Sequence, residues 1–358
     1  MATIRKKGDF QWHCQVRRKG YPNQTRTFNT KGEAEKWARD IEGEMDRGLF
    51  QDRREADKNT LAQVLCRFRD EVVPSHKGRD AETIRINALL KDRITSYKMS
   101  ALSGSALSDF ILRRQKLVSS ATVRREIDII SSAVTKARKA WGIHLPENPV
   151  ALIERPRPAK ARERRLNGDE ETRLMQALED HADDHEDSKQ YRKGSRNPWI
   201  KPFVQLAIHT AMRRGELLSL RWEDINLEER TAHLPDTKNG DARTVPLSSL
   251  AAATLRQLPQ DPSGQVFPIT ADAVKKGFER ARNRARADYV SECERNGTVP
   301  DDRLLDLRLH DLRHEATSRI AGKLDNILEL SAVTGHKDIR MLKRYYHPRA
   351  SDLALKLD

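Results

Sequence analysis

The stretch Leu309-His-Asp-Leu-Arg-His-Glu-Ala-Thr-Ser-Arg-Ile320 decides how the rest of the chain is read. His310, Arg313 and Thr317 fall at steps of three and four, and Leu309, Leu312, Ala316 and Ile320 form the adjoining apolar stripe. The spacing predicts a helix with one stripe packed and the other facing a cleft. His310 and His314 also have the i, i+4 spacing of a metal-binding pair. No glutamate stands between them as in the zinc-protease motif, so no metal is expected here.

Downstream, Gly335-His336 is expected to end one helix and start another, which presents Tyr345 and Tyr346. Helical steps from Ile339 and Leu342 lead to Tyr346 and the apolar side, leaving Tyr345 to turn toward the cleft. Upstream, Thr210-Ala-Met-Arg-Arg-Gly-Glu-Leu217 separates two apolar runs, Phe203 to Ile208 and Leu217 to Leu220, so a bend must fall between them. Arg213 would then sit at a helix N-terminus, where unpaired N–H groups already favour an anion and a guanidinium adds a bidentate phosphate clamp. Between these motifs, Thr231 to Leu234 and Arg243 to Leu247 read as strands flanking Asn239-Gly240, a hairpin signal that places Lys238 at its tip. The polar stretch from His181 to Asn197 reads as a surface loop.

The first 165 residues are organised differently. Phe10, Trp12, Cys14 and Val16 alternate with polar residues as in a half-buried strand, a turn follows at Lys19 and Gly20, and a second extended run ends in Thr27 and Phe28. Thr30 and Glu33 form a capping-box signature ahead of Ala34, Trp37, Ala38 and Ile41. A small sheet with one helix is expected. Its basic residues Arg5, Lys6, Lys7, Arg17, Arg18, Lys19 and Arg26 make a candidate DNA-binding surface. From about Asn59 the pattern becomes helical, with stripes at Leu61, Val64, Leu65 and Phe68, and at Ile84, Leu89 and Leu90. Helices over Ser105 to Gln115 and Ala121 to Ala140 complete a four-helix unit. Pro146, Pro149, Pro156 and Pro158 then break the pattern, and Arg157, Lys160, Arg162, Arg164 and Arg165 make the break a basic linker expected to lie against DNA.

A chain of 358 residues suggests two or three domains, since single cores rarely grow past roughly 250 residues. Lys plus Arg number 67 against 53 acids, a net charge of +14 that points to a polyanionic partner, nucleic acid above all. No stretch approaches the ~18 apolar residues of a membrane helix, and no apolar run follows the charged Met1 to Asp9 segment as in a secretory signal. The expected location is the cytoplasm, at the nucleoid. Cys14, Cys66 and Cys293 are far apart, which fits reduced thiols rather than a disulfide framework or a zinc site.

Taken in order, Arg213, Lys238 on a hairpin, His310-x-x-Arg313, His336 after glycine, and Tyr345 nine residues later in Tyr345-x-His347 resemble the tyrosine recombinase family of the phage-integrase type. The resemblance covers the chain from about Leu166. It implies a mainly α fold with small β elements: an arm-type DNA-binding domain (1–55), a helical core-binding domain (56–155), a basic linker (156–165) and a mixed, mostly helical catalytic domain (166–358). One departure is Ala211, where the family usually has glycine.

The resemblance further implies a site-specific recombinase that integrates or excises a phage or genomic island. Tyr345 attacks a DNA phosphorus, forms a 3′-phosphotyrosine and releases a 5′-hydroxyl, with neither ATP nor any other cofactor. Arg213 and Arg313 neutralise the phosphorane, His310 accepts the tyrosine proton, Lys238 protonates the leaving oxygen, and His336 donates a hydrogen bond to the phosphate. Four protomers act on two duplexes, assisted by accessory DNA-bending proteins or an excisionase. The tail Ser351 to Asp358 docks on a neighbour or on its own domain. A type IB topoisomerase and a non-catalytic DNA-binding protein stay open as alternatives.

Overall fold

The computed structural model describes residues 2–158, 162–179, 197–235, 242–324 and 326–346. Two compact units divide the chain, Met1–Lys160 and Ala161–Asp358.

The first unit opens with strands β1 (Ala2–Gly8), β2 (Gln11–Val16) and β3 (Gln24–Phe28), which form an antiparallel sheet in that order. Ile4 pairs with Cys14 and Trp12 with Phe28, so the apolar side chains share the face covered by α1 (Lys31–Asp46). Thr30 and Glu33 close the capping box reciprocally, at 3.3 and 3.2 Å. Phe10 departs from the alternation. It sits in the β1–β2 turn, exposed, because the strand starts one residue later. β1 itself has little sequence signal, since Ile4 is the one large apolar residue among its cations.

Helices α2 (Arg54–Lys58), α3 (Leu61–Glu71), α4 (Arg79–Leu89), α5 (Gly104–Gln115) and α6 (Ser120–Ala140) surround a second, separate core that includes Phe68, Phe110, Ile127 and Ile130. In α4 the buried residues are Ile86 and Leu89, while Ile84 is 70% exposed. The stripe starts at Ile86 because residues two apart on a helix point nearly opposite ways, so Ile84 and Ile86 cannot share a face.

The second unit holds α7 (Glu170–Leu178), α8 (Ile200–Thr210), α9 (Arg214–Ser219), strands β4 (Ile225–Asn226), β5 (Thr231–Leu234) and β6 (Arg243–Pro246), then α10 (Ser249–Arg256), α11 (Ala271–Arg295), α12 (Leu309–Ala321) and α13 (Ile327–Thr334). β5 pairs with β6 as expected, and β4 adds an edge strand. Among the described residues the pairing runs from Thr231 with Pro246 to Leu234 with Arg243. Lys238, Asn239 and Gly240 lie outside the described residues, as do Lys160, His347, the tail from Ser351 and the expected loop up to residue 196. Gly277 lets α11 approach α8 closely, since a Cβ there would lie 2.9 Å from Ile200 Cδ1.

Two sequence expectations change in this unit. α12 is buried on more than its apolar stripe: Asp311, Arg313, Glu315 and Thr317 are buried as well. Beyond α13 no second α-helix follows among the described residues; a 3₁₀ turn at Ile339–Met341 leads into turns that carry Tyr345. Asp338 accepts from the Arg340 N–H at 3.0 Å and starts this tighter path.

Ala211 terminates α8 in the left-handed region, at φ 55°. A Cβ in that conformation costs roughly 1–2 kcal/mol, which explains why glycine suits the position. Ala211→Gly should therefore leave stability unchanged or raise it by up to about 1 kcal/mol in urea unfolding, where Ala-to-Gly changes inside regular structure lose about 0.5–1 kcal/mol. A loss of that size would show that Ala211 carries no strain.

Candidate active site

The site is assembled around the C-terminal ends of two helices, α8 and α13. A helix end leaves carbonyls without intrahelical partners and carries the negative end of the dipole, so it attracts cations. Arg313, from α12, donates to Ala211 O beyond α8 and, at 2.6 Å, to Thr334 O of α13. Arg213 donates to Gly335 O at 3.1 Å. Both guanidiniums are fixed in place by backbone oxygens.

Glu216, in the first turn of α9, holds the second layer. It accepts from the Arg213 backbone N–H (2.7 Å) and Nη1 (2.7 Å), and from both terminal nitrogens of Arg243 on β6 (2.9 Å each). Burial alone would raise its pKa, yet the Arg243 and Arg213 hydrogen bonds pull it down to about 2. The expected N-terminal anion site at Arg213 is thus partly taken by the protein's own carboxylate. Arg313 is only 5% exposed; burial first, then repulsion from Arg213, lowers its pKa to about 9.

Gly335 makes this crowding possible. It caps α13 at φ 67°, and a Cβ there would lie 2.7 Å from Nη1 of Arg243. Next to it, His336 Nδ1 lies 2.7 Å from Thr334 Oγ1. The Thr334 hydroxyl donates to Leu330 O at 2.7 Å, so its oxygen accepts from Nδ1–H, and a neutral His336 has a lone pair rather than a proton on Nε2. Burial, then Arg313 and Arg213, push the His336 pKa down to about 4.

Tyr345 is half-buried, with its ring against the apolar cluster of Ala321, Leu330 and Leu342. Tyr346 is partly buried too, so packing is shared by both rings, where the sequence reading assigned it to Tyr346 alone. The Tyr345 hydroxyl contacts His314 Nδ1 and accepts from Arg344 at 2.9 Å. Burial raises its pKa, against the lowering effect of Arg344 and Arg313. His310, expected to face the tyrosine, instead stands edge-on to His314 with ring centroids 5.1 Å apart. Desolvation first, then Arg313, lowers its pKa too.

Of the residues read from sequence, the structure therefore gathers Arg213, His310, Arg313, His336 and Tyr345. It adds Glu216, Arg243 and Arg344, which sequence reading did not single out, and His314, which it weighed only as half of a metal pair. The linker cations behave otherwise: Arg162 pairs with Asp306 (2.9 Å) and Asp311 (2.8 Å), Arg164 with Glu170 and Asp306, and Arg165 with Glu315 (3.1 Å). These three arginines pair with intramolecular carboxylates, while Arg165 remains exposed and Arg157 is exposed too. Among the described residues no group of His, Cys, Asp or Glu is arranged to hold a metal, and no helix is long and apolar enough to cross a membrane.

A tyrosine hydroxyl held by His314 and Arg344 and under the charge of the anchored Arg313, in a cluster with Arg213 and uncharged imidazoles, suits a phosphoryl-transfer class of site. Residues 164–352 match the model of the phage integrase family. A shufflon-specific DNA recombinase of Escherichia coli is 36% identical over 311 residues, covering 84% of this chain and 72% of the relative. A putative integrase/recombinase of Haemophilus influenzae is 30% identical over 357 residues, covering 99% of this chain and 88% of the relative. The fold is similar to that of a lambda integrase dimer bound to a core site (TM-score 0.61, 18% identity, 97% of this chain and 95% of that one). It is also similar to the Tn1549 transposon integrase in complex with circular intermediate DNA (TM-score 0.60, 18% identity, 84% and 99%). The chain belongs to the phage integrase family, the tyrosine site-specific recombinases.

Gly335→Ala should cost about 1–3 kcal/mol through its backbone conformation and the clash with Arg243. Shortening Arg243 to Ala in the same chain should return part of that loss in a double-mutant unfolding cycle. Strictly additive losses would show that the close approach is unimportant.

Proposed function

We propose that Tyr345 is the nucleophile of this recombinase, attacking a DNA phosphorus to form a 3′-phosphotyrosyl bond while the 5′ oxygen leaves. The observation that carries this reading is that the Arg313 charge bears on the Tyr345 hydroxyl while Arg213 and Arg313 together grip the end of α13 beside His336. The arginines hold the non-bridging oxygens and are already oriented, so they need no reorganisation as charge builds on the phosphorane. His310, edge-on to His314, belongs to the same cluster. His336 donates to the phosphate, and Lys238, by family resemblance, protonates the leaving 5′ oxygen.

Around this centre, residues 1–55 serve as an arm-type DNA-binding domain, 56–155 as a core-binding domain, 156–165 as the linker and 166–358 as the catalytic domain. The sheet cations Arg5, Lys6, Lys7, Arg17, Arg18, Lys19 and Arg26, and Arg157 and Lys160 of the linker, are the candidate phosphate contacts. The enzyme integrates or excises a phage or genomic island as a tetramer on two duplexes, aided by DNA-bending proteins or an excisionase, in the nucleoid-containing cytoplasm.

Two outcomes follow. Tyr345→Phe should bind core-site DNA with near-normal affinity and form no denaturant-resistant adduct, whereas Tyr346→Phe should still form one; the reverse result would move the nucleophile by one residue. The second concerns protons. Free His336 is neutral at pH 7 with a lone pair on Nε2, so donating from Nε2 to a phosphate requires an added proton. DNA binding should take up a fraction of a proton near pH 7 and tighten as pH falls toward 5, an effect smaller in His336→Gln. Calorimetry in buffers of different ionisation enthalpy measures the uptake, and equal uptake in both proteins would refute the assignment.

A further inference from the structure

The contacts at the Tyr345 hydroxyl specify the direction of a proton. Arg344 donates to His314 Nδ1 at 3.1 Å, and a guanidinium has no acceptor, so Nδ1 carries a lone pair and the ring's proton is on Nε2. The same Arg344 nitrogen donates to the Tyr345 oxygen at 2.9 Å. In the direct Tyr345–His314 contact the phenol is therefore the donor and the imidazole the acceptor. The two rings stack at 25° with centroids 6.0 Å apart, which fixes the imidazole against the phenol. His310 makes no hydrogen bond to Tyr345 among the described residues.

We infer that His314, rather than His310, is the base that takes the Tyr345 proton, and that Arg344 stabilises the phenolate as it forms. This rests on Tyr345 being the nucleophile. In the step, the phenolic O–H bond breaks and its proton passes to His314 Nδ1. The oxygen forms the bond to phosphorus, the bond from phosphorus to the 5′ oxygen breaks, and that oxygen leaves with a proton from the acid of the site. On rejoining, the 5′-hydroxyl attacks and gives its proton back to that acid, the phosphotyrosyl bond breaks and His314 returns its proton to Tyr345.

The surroundings suit this role. Burial, then Arg344 and His310, hold the His314 pKa down at about 4, so the ring enters the reaction uncharged. An incoming phosphodiester brings an anion next to Arg344 and Arg313, which offsets the cations that depress the imidazole and makes it more basic when substrate is bound.

The test is single-turnover adduct formation by the full chain on a suicide duplex taken from the junction DNA of the element that carries the gene. His314→Ala should be slowed by at least about 10²-fold, the usual contribution of a general base. Added imidazole should restore part of the rate, which a purely structural defect would not permit. His314→Gln, which keeps a hydrogen-bonding side chain but no base, should be slow and folded by circular dichroism. Both variants should stay slow on a bridging 5′-phosphorothiolate, because that leaving group replaces a missing acid and not a missing base. A His314→Ala rate near that of the native chain, or imidazole rescue confined to His310→Ala, would overturn the inference while leaving Tyr345 in place. An adduct that survives in Tyr345→Phe would instead overturn the nucleophile assignment and this inference with it.

Discussion

Everything in the catalytic unit depends on holding three guanidiniums, Arg213, Arg243 and Arg313, around one buried carboxylate, Glu216. Like charges this close repel, and removing them from water is expensive. One carboxylate cannot balance three cations, so the cluster retains excess positive charge in a half-enclosed place. Burial first, and then repulsion from Arg213, lowers the pKa of Arg313 there. On the proposed function, a phosphodiester, and still more a phosphorane, supplies the missing negative charge, so the arrangement would favour a transition state over an empty site.

Backbone oxygens complete what side chains alone could not. Ala211 and Gly335 both end their helices in the left-handed region, and each bend exposes carbonyls that receive an arginine. The dipoles of α8 and α13 act in the same sense. The bend after Thr210 and the glycine before His336 are thus two uses of one device. The carbonyls orient the arginines without neutralising them, because a carbonyl carries no net charge to compete with a phosphate.

Much of this fold could be read from residue order alone, and the reasons are local. The Thr30–Glu33 box, the apolar stripe of α6 and the β5–β6 pairing depend on neighbours within a few residues, so periodicity reports them directly. Arg213, His310, Arg313, His336 and Tyr345 were legible as an ordered set. Glu216 and Arg243 were not, although Glu216 stands three residues after Arg213, since i, i+3 ion pairs are ordinary surface features until burial is known. His314 was read only as one half of a metal pair. Its role depends on Tyr345, 31 residues away, reached through a turn whose 3₁₀ character the sequence did not announce.

Charge counting was the weakest guide. A net charge of +14 suggested DNA along every basic stretch, yet Arg162, Arg164 and Arg165 are tied to Asp306, Asp311, Glu170 and Glu315, and Arg18 to Asp46. An arginine already paired with a carboxylate gains less from a phosphate, because it must first give up that partner. The salt dependence of DNA binding counts phosphates neutralised by cations that release counterions, not the cations in the sequence. The ion pairs around α12 then acquire a different meaning: they fasten the segment before α7 to the helix that carries His310, Arg313 and His314. Part of the chain's positive charge thus goes into holding α12 where it stands.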